Sequence, residues 1–306
     1  MSRSNQVVPG GMLFLFGTFL LLSTATAQSQ GKLENALEQF SGPAAQGYMQ
    51  PVADLFGANM NSGFYHSAQI SRWGLHLSFD IVGMIAVVSE EQKSFEAPAP
   101  AGFSPATFKT ATIFGSTGTE ISHATIPSLK YRGSDGVFNT SDFPLAVPQL
   151  TIGNIWGTQF IARYVFIPKI GEEVIPESNL WGIGVRHSVS QYLPDIPVDL
   201  AVGVYYQSYK SGDLINFTGL SYGAQVSKSI SIVTFYGGLS AEQSTLKLHY
   251  TSTDPVVPGV VDISLDGANK FRFTGGLSLS LGFAKIFADA NFGSVVCFSG
   301  GIGFGN

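Results

Sequence analysis

From Gly63 onward, apolar and polar residues alternate with a period of two, which marks strands with two chemically different faces. Phe271, Phe273, Gly275, Leu277, Leu279, Leu281 and Phe283 alternate with Arg272, Thr274, Gly276, Ser278, Ser280 and Gly282. Leu75, Leu77, Phe79, Ile81, Gly83, Ile85 and Val87 alternate with His76, Ser78 and Asp80. Val198, Leu200, Val202, Val204 and Tyr206 alternate with Asp199, Ala201, Gly203 and Gln207. The pattern predicts strands over 62–70, 74–88, 145–153, 157–168, 180–190, 198–210, 215–227, 231–243, 270–283, 286–293 and 295–304. Most are longer than the mean of about 5–6 residues in soluble sheets and close to the roughly 9–11 that cross a bilayer when tilted.

Short connections (Ser71–Gly74, Asn154–Trp156, Lys228–Ser229, Ala284–Lys285) alternate with long ones (89–106, 168–179, 251–267), the layout of an outer-membrane barrel. The uncharged face of each strand is the apolar one. In a bilayer every backbone amide must find an internal partner, so the sheet has to close on itself. The expected fold is all-β: a transmembrane antiparallel β-barrel with a short N-terminal helical segment. A hairpin in 89–144, with arms at Thr107–Phe114 and Glu120–Leu129, and one more strand near the N-terminus would bring the count to about 14 strands; 12 is the alternative. The last stretch, Val295–Asn306, has the form of a barrel-insertion signal, with Phe304 two residues short of the end.

The first 27 residues read as a targeting segment: Arg3, then the apolar stretch Met12–Leu22, then an A-x-A site at Ala25-Thr26-Ala27. Cleavage after Ala27 and export to the cell outer membrane are expected. Residues 31–61 show helical spacing at Leu33, Ala36, Leu37 and Phe40, then a Gly-Pro break and an apolar stretch at Val52–Phe56. The domain reading is therefore 1–27 signal peptide, 28–61 helical plug or periplasmic segment, and 62–306 barrel.

Composition sharpens this picture. Only 12% of residues are charged, against about 25% in an average soluble protein, and 36 are glycine. The net charge of −5 excludes a nucleic-acid partner, and outer-membrane lipid is the partner expected. A single cysteine, Cys297, excludes an internal disulfide and a Cys-rich metal site.

Candidate chemistry is sparse. Gly219-Leu220-Ser221-Tyr222-Gly223 matches G-x-S-x-G, but a nucleophile elbow needs a strand–turn–helix context and this stretch lies inside a strand. His66, His76, His123, His187 and His249 lack metal-ligand spacing, and Ser134–Asp142 does not match the twelve-residue calcium loop. Neither catalysis, a metal nor a cofactor is expected. Parity places Asp80, Arg163, Arg186, Asp199, Glu242, Arg272 and Asp289 on the inward face. There they either line a water-filled channel or pair with one another and fill the interior. Trp73, Trp156, Trp181, Tyr164 and Tyr192 fall near strand ends or on apolar faces, where an interfacial girdle is expected.

Three blocks, YMQPVADLFGANMNSGFYHSA (48–68), VPQLTIGNIWGTQFIARYVFIP (147–168) and LWGIGVRHSVSQYLPDIPVDLAVG (180–203), resemble an uncharacterised family of Gram-negative outer-membrane β-barrels, catalogued as a domain of unknown function. That resemblance implies fold and location only. More loosely, a helical segment ahead of about 14 strands is similar to long-chain fatty-acid transporters, in which the segment plugs the lumen. The function expected is a passive channel for small apolar or amphipathic solutes. The alternative is a structural or surface-interaction barrel with a sealed lumen.

Overall fold

A computed structural model describes residues 42–169, 176–193, 195–252 and 259–305. The targeting stretch 1–27 and the helical spacing at Leu33–Phe40 lie outside the described residues. Helix α1 (Gly42–Met60) opens the described chain, and an irregular segment, 61–75, follows it. The strands are β1 (His76–Val87), β2 (Ser94–Pro98), β3 (Phe103–Ser104), β4 (Thr107–Ala111), β5 (Glu120–His123), β6 (Lys130–Arg132), β7 (Asp142–Ile155) and β8 (Thr158–Ile167). They continue with β9 (Ser178–Ser188), β10 (Asp199–Ser211), β11 (Ile215–Ile230), β12 (Val233–Ser252), β13 (Gly259–Asp266), β14 (Phe271–Leu281), β15 (Ala284–Phe292) and β16 (Cys297–Gly305).

Ten strands close into an antiparallel ring in the order β1-β7-β8-β9-β10-β11-β12-β14-β15-β16. The first and last strands seal it, with Phe79 opposite Phe304, Ile81 opposite Ile302 and Ile85 opposite Phe298. Alternate apolar side chains thus face outward across the seam, and Phe79, Phe160, Ile183, Val204, Leu239 and Phe298 belong to an exposed apolar belt round the wall. Strand β13 lies outside the ring. It pairs with Thr245–Ser252 of β12, beyond the part of β12 that pairs with β14, and so raises one side of the wall.

The ring holds ten strands, not the 14 or 12 expected. Ten of the eleven sequence-predicted strands form it, and 62–70 does not. That segment alternates in sequence but is irregular in structure, bending at Ser62, Phe64 and His66 with a positive φ at Gly63, and it pairs with no strand. The expected hairpin arms near 107–129 fall in two small sheets, β2-β4 and β3-β5-β6, within the connection between β1 and β7. Tight turns sit at Trp156-Gly157, Ser231-Ile232 and Gly282-Phe283, where Trp156, Gly157, Ser231 and Gly282 take positive φ. Lys228–Ser229 and Ala284–Lys285, read from sequence as turns, lie within β11 and β15. We call this end of the barrel the turn end and the opposite one the loop end.

Inward side chains form two tiers. Toward the loop end they are mainly apolar: Met84, Ala86, Val147, Leu180, Phe217 and Leu246 pack around α1, with Ser178, Ser211, Ser244 and Arg272 also buried there. Toward the turn end they are polar: Ser78, Asp80, Gln149, Gln159, Arg186 and Gln225 are all buried.

Candidate functional site: a polypeptide threaded through the lumen

The chain from α1 to β1 runs the length of the barrel interior. At the loop end the Tyr48 hydroxyl donates to the Asp135 carbonyl (2.9 Å), and the Ile113 N–H donates to the Tyr48 carbonyl (3.2 Å). Lower down, Asn59 Nδ2 donates to the Phe143 carbonyl at the start of β7 (2.6 Å), and Ser62 Oγ lies 3.5 Å from Cys297 Sγ on β16. The Ala68 N–H reaches Ser227 Oγ in the turn-end half of β11 (2.9 Å), and the Gly157 N–H in a turn donates to the Arg72 carbonyl (3.1 Å). The chain therefore enters at the loop end and leaves at the turn end before β1 turns back.

The last carbonyls of α1 and those of the irregular segment after it have no helix or strand partner, and left unpaired in the interior each would cost about as much as a lost hydrogen bond. Wall side chains satisfy them. Arg272 Nη2 donates to the Ala58 carbonyl (2.7 Å), Arg163 to the carbonyls of Met60 (3.4 Å) and Ser62 (3.0 Å), and Gln149 Nε2 to that of Phe64 (3.3 Å). Ser278 Oγ donates to the His66 carbonyl (3.0 Å), Gln207 also reaches Met60, and Arg186 reaches Ser67. On the remaining walls, His66 lies 3.9 Å from Asp80 of β1 and 4.8 Å, ring to ring, from Phe287 of β15. Tyr65 meets Tyr236 of β12 edge-on at 6.0 Å. All ten ring strands thus touch the segment.

Arg163 is the hub. Its guanidinium stacks 3.8 Å over the Phe64 ring, whose other neighbour is Tyr205, stacked at 4.1 Å. Nε donates to Gln149 (2.9 Å) and Nη1 to Gln207 (3.4 Å). Arg186 is held likewise by Gln225 (2.9 Å) and Gln159 (3.2 Å). Small residues make room for this packing: a Cβ on Gly238 would stand 2.1 Å from the Tyr65 hydroxyl.

Of the seven sequence-marked inward residues, Asp80, Arg163, Arg186, Glu242, Arg272 and Asp289 are buried, and Asp199 is half-buried at the turn end of β10. They do not form a common ion-pair set. Arg272 pairs with Glu242 (3.1 Å), while Arg163 and Arg186 grip carbonyls and amides in place of the acids. Asp289 accepts from Tyr236 (2.8 Å) and Asn291 (2.5 Å), and Asp80 from Ser78 (2.9 Å). Beside Asn61, Ser221, Arg272 and Thr274 remains a cavity of about 20 Å³, room for one water molecule. Sequence reasoning placed Gln207 on the polar face but marked none of the inward glutamines 149, 159, 207 and 225 as site residues. Their strand parity, matching that of Arg163 and Arg186, was the available signal.

The other marked residues stay apart. Ser221 lies mid-strand on β11, without the strand–turn–helix context of a nucleophile. His187 contacts Thr158 (2.9 Å) and Tyr192 (2.9 Å), and His249 contacts Asp262 (2.7 Å). Among the described residues no three His, Cys, Asp or Glu side chains are placed to hold a metal. Within Ser134–Asp142, the Asp135 carboxylate is already engaged by Gly118 and Arg132. Trp73 and Trp156 meet edge-on at 6.0 Å at the turn end, both exposed.

Solved structures similar to this chain include the outer membrane protease OmpT of Escherichia coli, at 7% identity and a TM-score of 0.33, covering 78% of this chain and 98% of that one. The attachment invasion locus protein Ail of Yersinia pestis, in complex with the heparin analogue sucrose octasulfate, gives 10% identity and 0.29, covering 76% and 97%. OmpF of Salmonella typhi in complex with daunomycin gives 9% and 0.24, covering 76% and 97%. No function is carried over from these likenesses. No curated protein matches the chain in sequence. The family model that does match, over residues 8–306, is that of a family of unknown function, DUF6588, and the chain belongs to it.

Proposed function

We propose that the chain is an outer-membrane β-barrel held shut by its own segment 42–70, and that this closed barrel is its resting form. One observation carries the reading: the threaded segment touches the inward face of every ring strand, and the cavity beside it is about 20 Å³. A solute larger than water does not fit in that cavity. The apolar belt supports placement in lipid, and export through residues 1–27 with cleavage after Ala27 belongs to the same proposal. We assign the barrel no catalytic activity. Purified full-length protein in planar bilayers should be electrically silent. Steady open-channel currents from it would sink the proposal.

A second reading, gated passage, is favoured by how the segment is held. Side chains grip it and no β-ladder does, so it can withdraw without breaking the sheet. The wall it would uncover carries Gln149, Gln159, Gln207 and Gln225, which suits polar solutes better than the apolar or amphipathic ones expected from sequence. An Arg163→Ala/Arg186→Ala variant should then show discrete conductance steps. A folded variant that stays silent leaves the sealed barrel alone.

A further inference from the structure

Across four neighbouring strands one row of outward side chains stands in register at the loop end. Lys210 on β10 faces Asn216 on β11, Asn216 faces Lys247 on β12, and Lys247 faces Ser264 on β13. Two strand spacings of about 4.8 Å set the lysines roughly 10 Å apart. The row borders an open depression of about 350 Å³, formed where β13 raises the wall above the ring.

Its height is fixed by the residues beneath it. Trp181 and Tyr206, with ring centroids 5.4 Å apart, mark the upper edge of the apolar belt on β9 and β10, and Tyr206 is flanked in register by Ile183 and Leu220. Lys210 lies four residues beyond Tyr206, about 13 Å along the strand and less along the tilted barrel axis. That is the level of lipid headgroups just outside the hydrocarbon. In the loop-end halves of the ten ring strands, Lys210 and Lys247 are the outward-facing Lys or Arg residues among the described residues.

Acids are present, but they lie above the row or are engaged. Asp213 stands 3.7 Å from Lys210 in the connection beyond β10, and Asp262 holds His249 at 2.7 Å one row farther from the belt. Asp266, at the edge of the patch, accepts from Thr245 Oγ1 (2.9 Å). Lys247 makes no ion pair among the described residues. Two ammonium groups, an amide and a hydroxyl at this level match the oxygens of a phosphorylated sugar.

We infer that Lys210, Asn216, Lys247 and Ser264 hold the phosphorylated headgroup of an outer-leaflet glycolipid against the outer wall of the barrel. The inference rests on the membrane placement proposed above. It is tested by titrating bisphosphorylated lipid A, with phosphatidylethanolamine as comparator, into nanodisc-embedded full-length protein. Wild type should prefer lipid A, and Lys210→Gln/Lys247→Gln should weaken that binding by about tenfold while leaving phosphatidylethanolamine unchanged. A Lys109→Gln/Lys130→Gln variant, with the same change in charge, should bind like wild type. Equal lipid A binding by wild type and the Lys210/Lys247 variant would overturn the inference. So would an equal loss in the Lys109/Lys130 variant, or displacement of lipid A by millimolar inorganic phosphate, which would point to a free-phosphate site. Failure of every protein to enter nanodiscs would instead remove the membrane placement itself, and this inference with it.

Discussion

At the loop end of the lumen, α1 buries Tyr48, Met49, Leu55 and Phe56 against Met84, Val147, Phe217 and Leu246, much as a helix packs into a soluble core. Toward the turn end, the irregular residues 61–70 meet arginines, glutamines and serines that take hold of their backbone. The first seal is made of many weak, non-directional contacts, so one altered side chain can be absorbed by its neighbours. The second is made of a few directional bonds, and removing one donor leaves a buried carbonyl with nothing to bind. One passage is thus closed twice, by mechanisms that should fail differently.

The first way to sharpen the contrast is to establish which seal faces outward. Gln46, in the first turns of α1, is exposed at the loop end, and Ser231 is exposed in a tight turn at the other, while the native Cys297 is fully buried. With turns on the periplasmic side, Gln46→Cys should react with a membrane-impermeant maleimide on intact cells. Ser231→Cys should react only after the outer membrane is opened. The opposite pattern would invert the barrel and place the polar seal outside.

Next in size is the loss from the polar seal. Arg163→Ala removes four hydrogen bonds and the stack on Phe64, and should lower stability by about 3–5 kcal/mol. Heat-dependent gel mobility of the detergent-solubilised barrel reads this directly. Phe56, edge-on to Phe217 at 4.8 Å and to Tyr209 at 5.0 Å, tests the apolar seal. Phe56→Leu should cost only about 1–2 kcal/mol and open no current. If it costs as much as Arg163→Ala, the two seals do not differ in kind.

The wall was legible in the sequence and its contents were not. Ten period-two stretches became ring strands because alternation reports which face each side chain takes, and Phe79 and Phe304 both stand on the outward face on that basis. Alternation cannot report pairing, so 62–70, an irregular segment with no strand neighbour, inflated the count. Parity placed Arg163 and Arg186 inward, yet their partners are carbonyls of Met60, Ser62 and Ser67, about a hundred residues away. Every residue carries a carbonyl, so nothing in the letters of the sequence marks those particular ones.

The smallest effect concerns the loops above the apolar seal. The Asp135 carboxylate accepts from the Gly118 N–H at 2.7 Å and from Arg132 at 2.9 Å, and these two donors hold its pKa below the ordinary carboxylate value. Its own carbonyl accepts from Tyr48, tying the loop to α1. Because the folded-state pKa is depressed, the stabilisation is complete above the unfolded value of about 3.9 and disappears as pH falls through the lower folded value. Pepsin cleavage within 116–136, normalised at each pH to that of an unstructured control peptide, should therefore rise only below about pH 4 in wild type. In Asp135→Asn it should already be raised at about pH 5 and change little on further acidification. The difference should be modest, because the group is exposed and screened by solvent. Identical pH profiles for the two proteins would mean that the loop is held by its apolar contacts alone, which would extend the non-directional seal up to the rim.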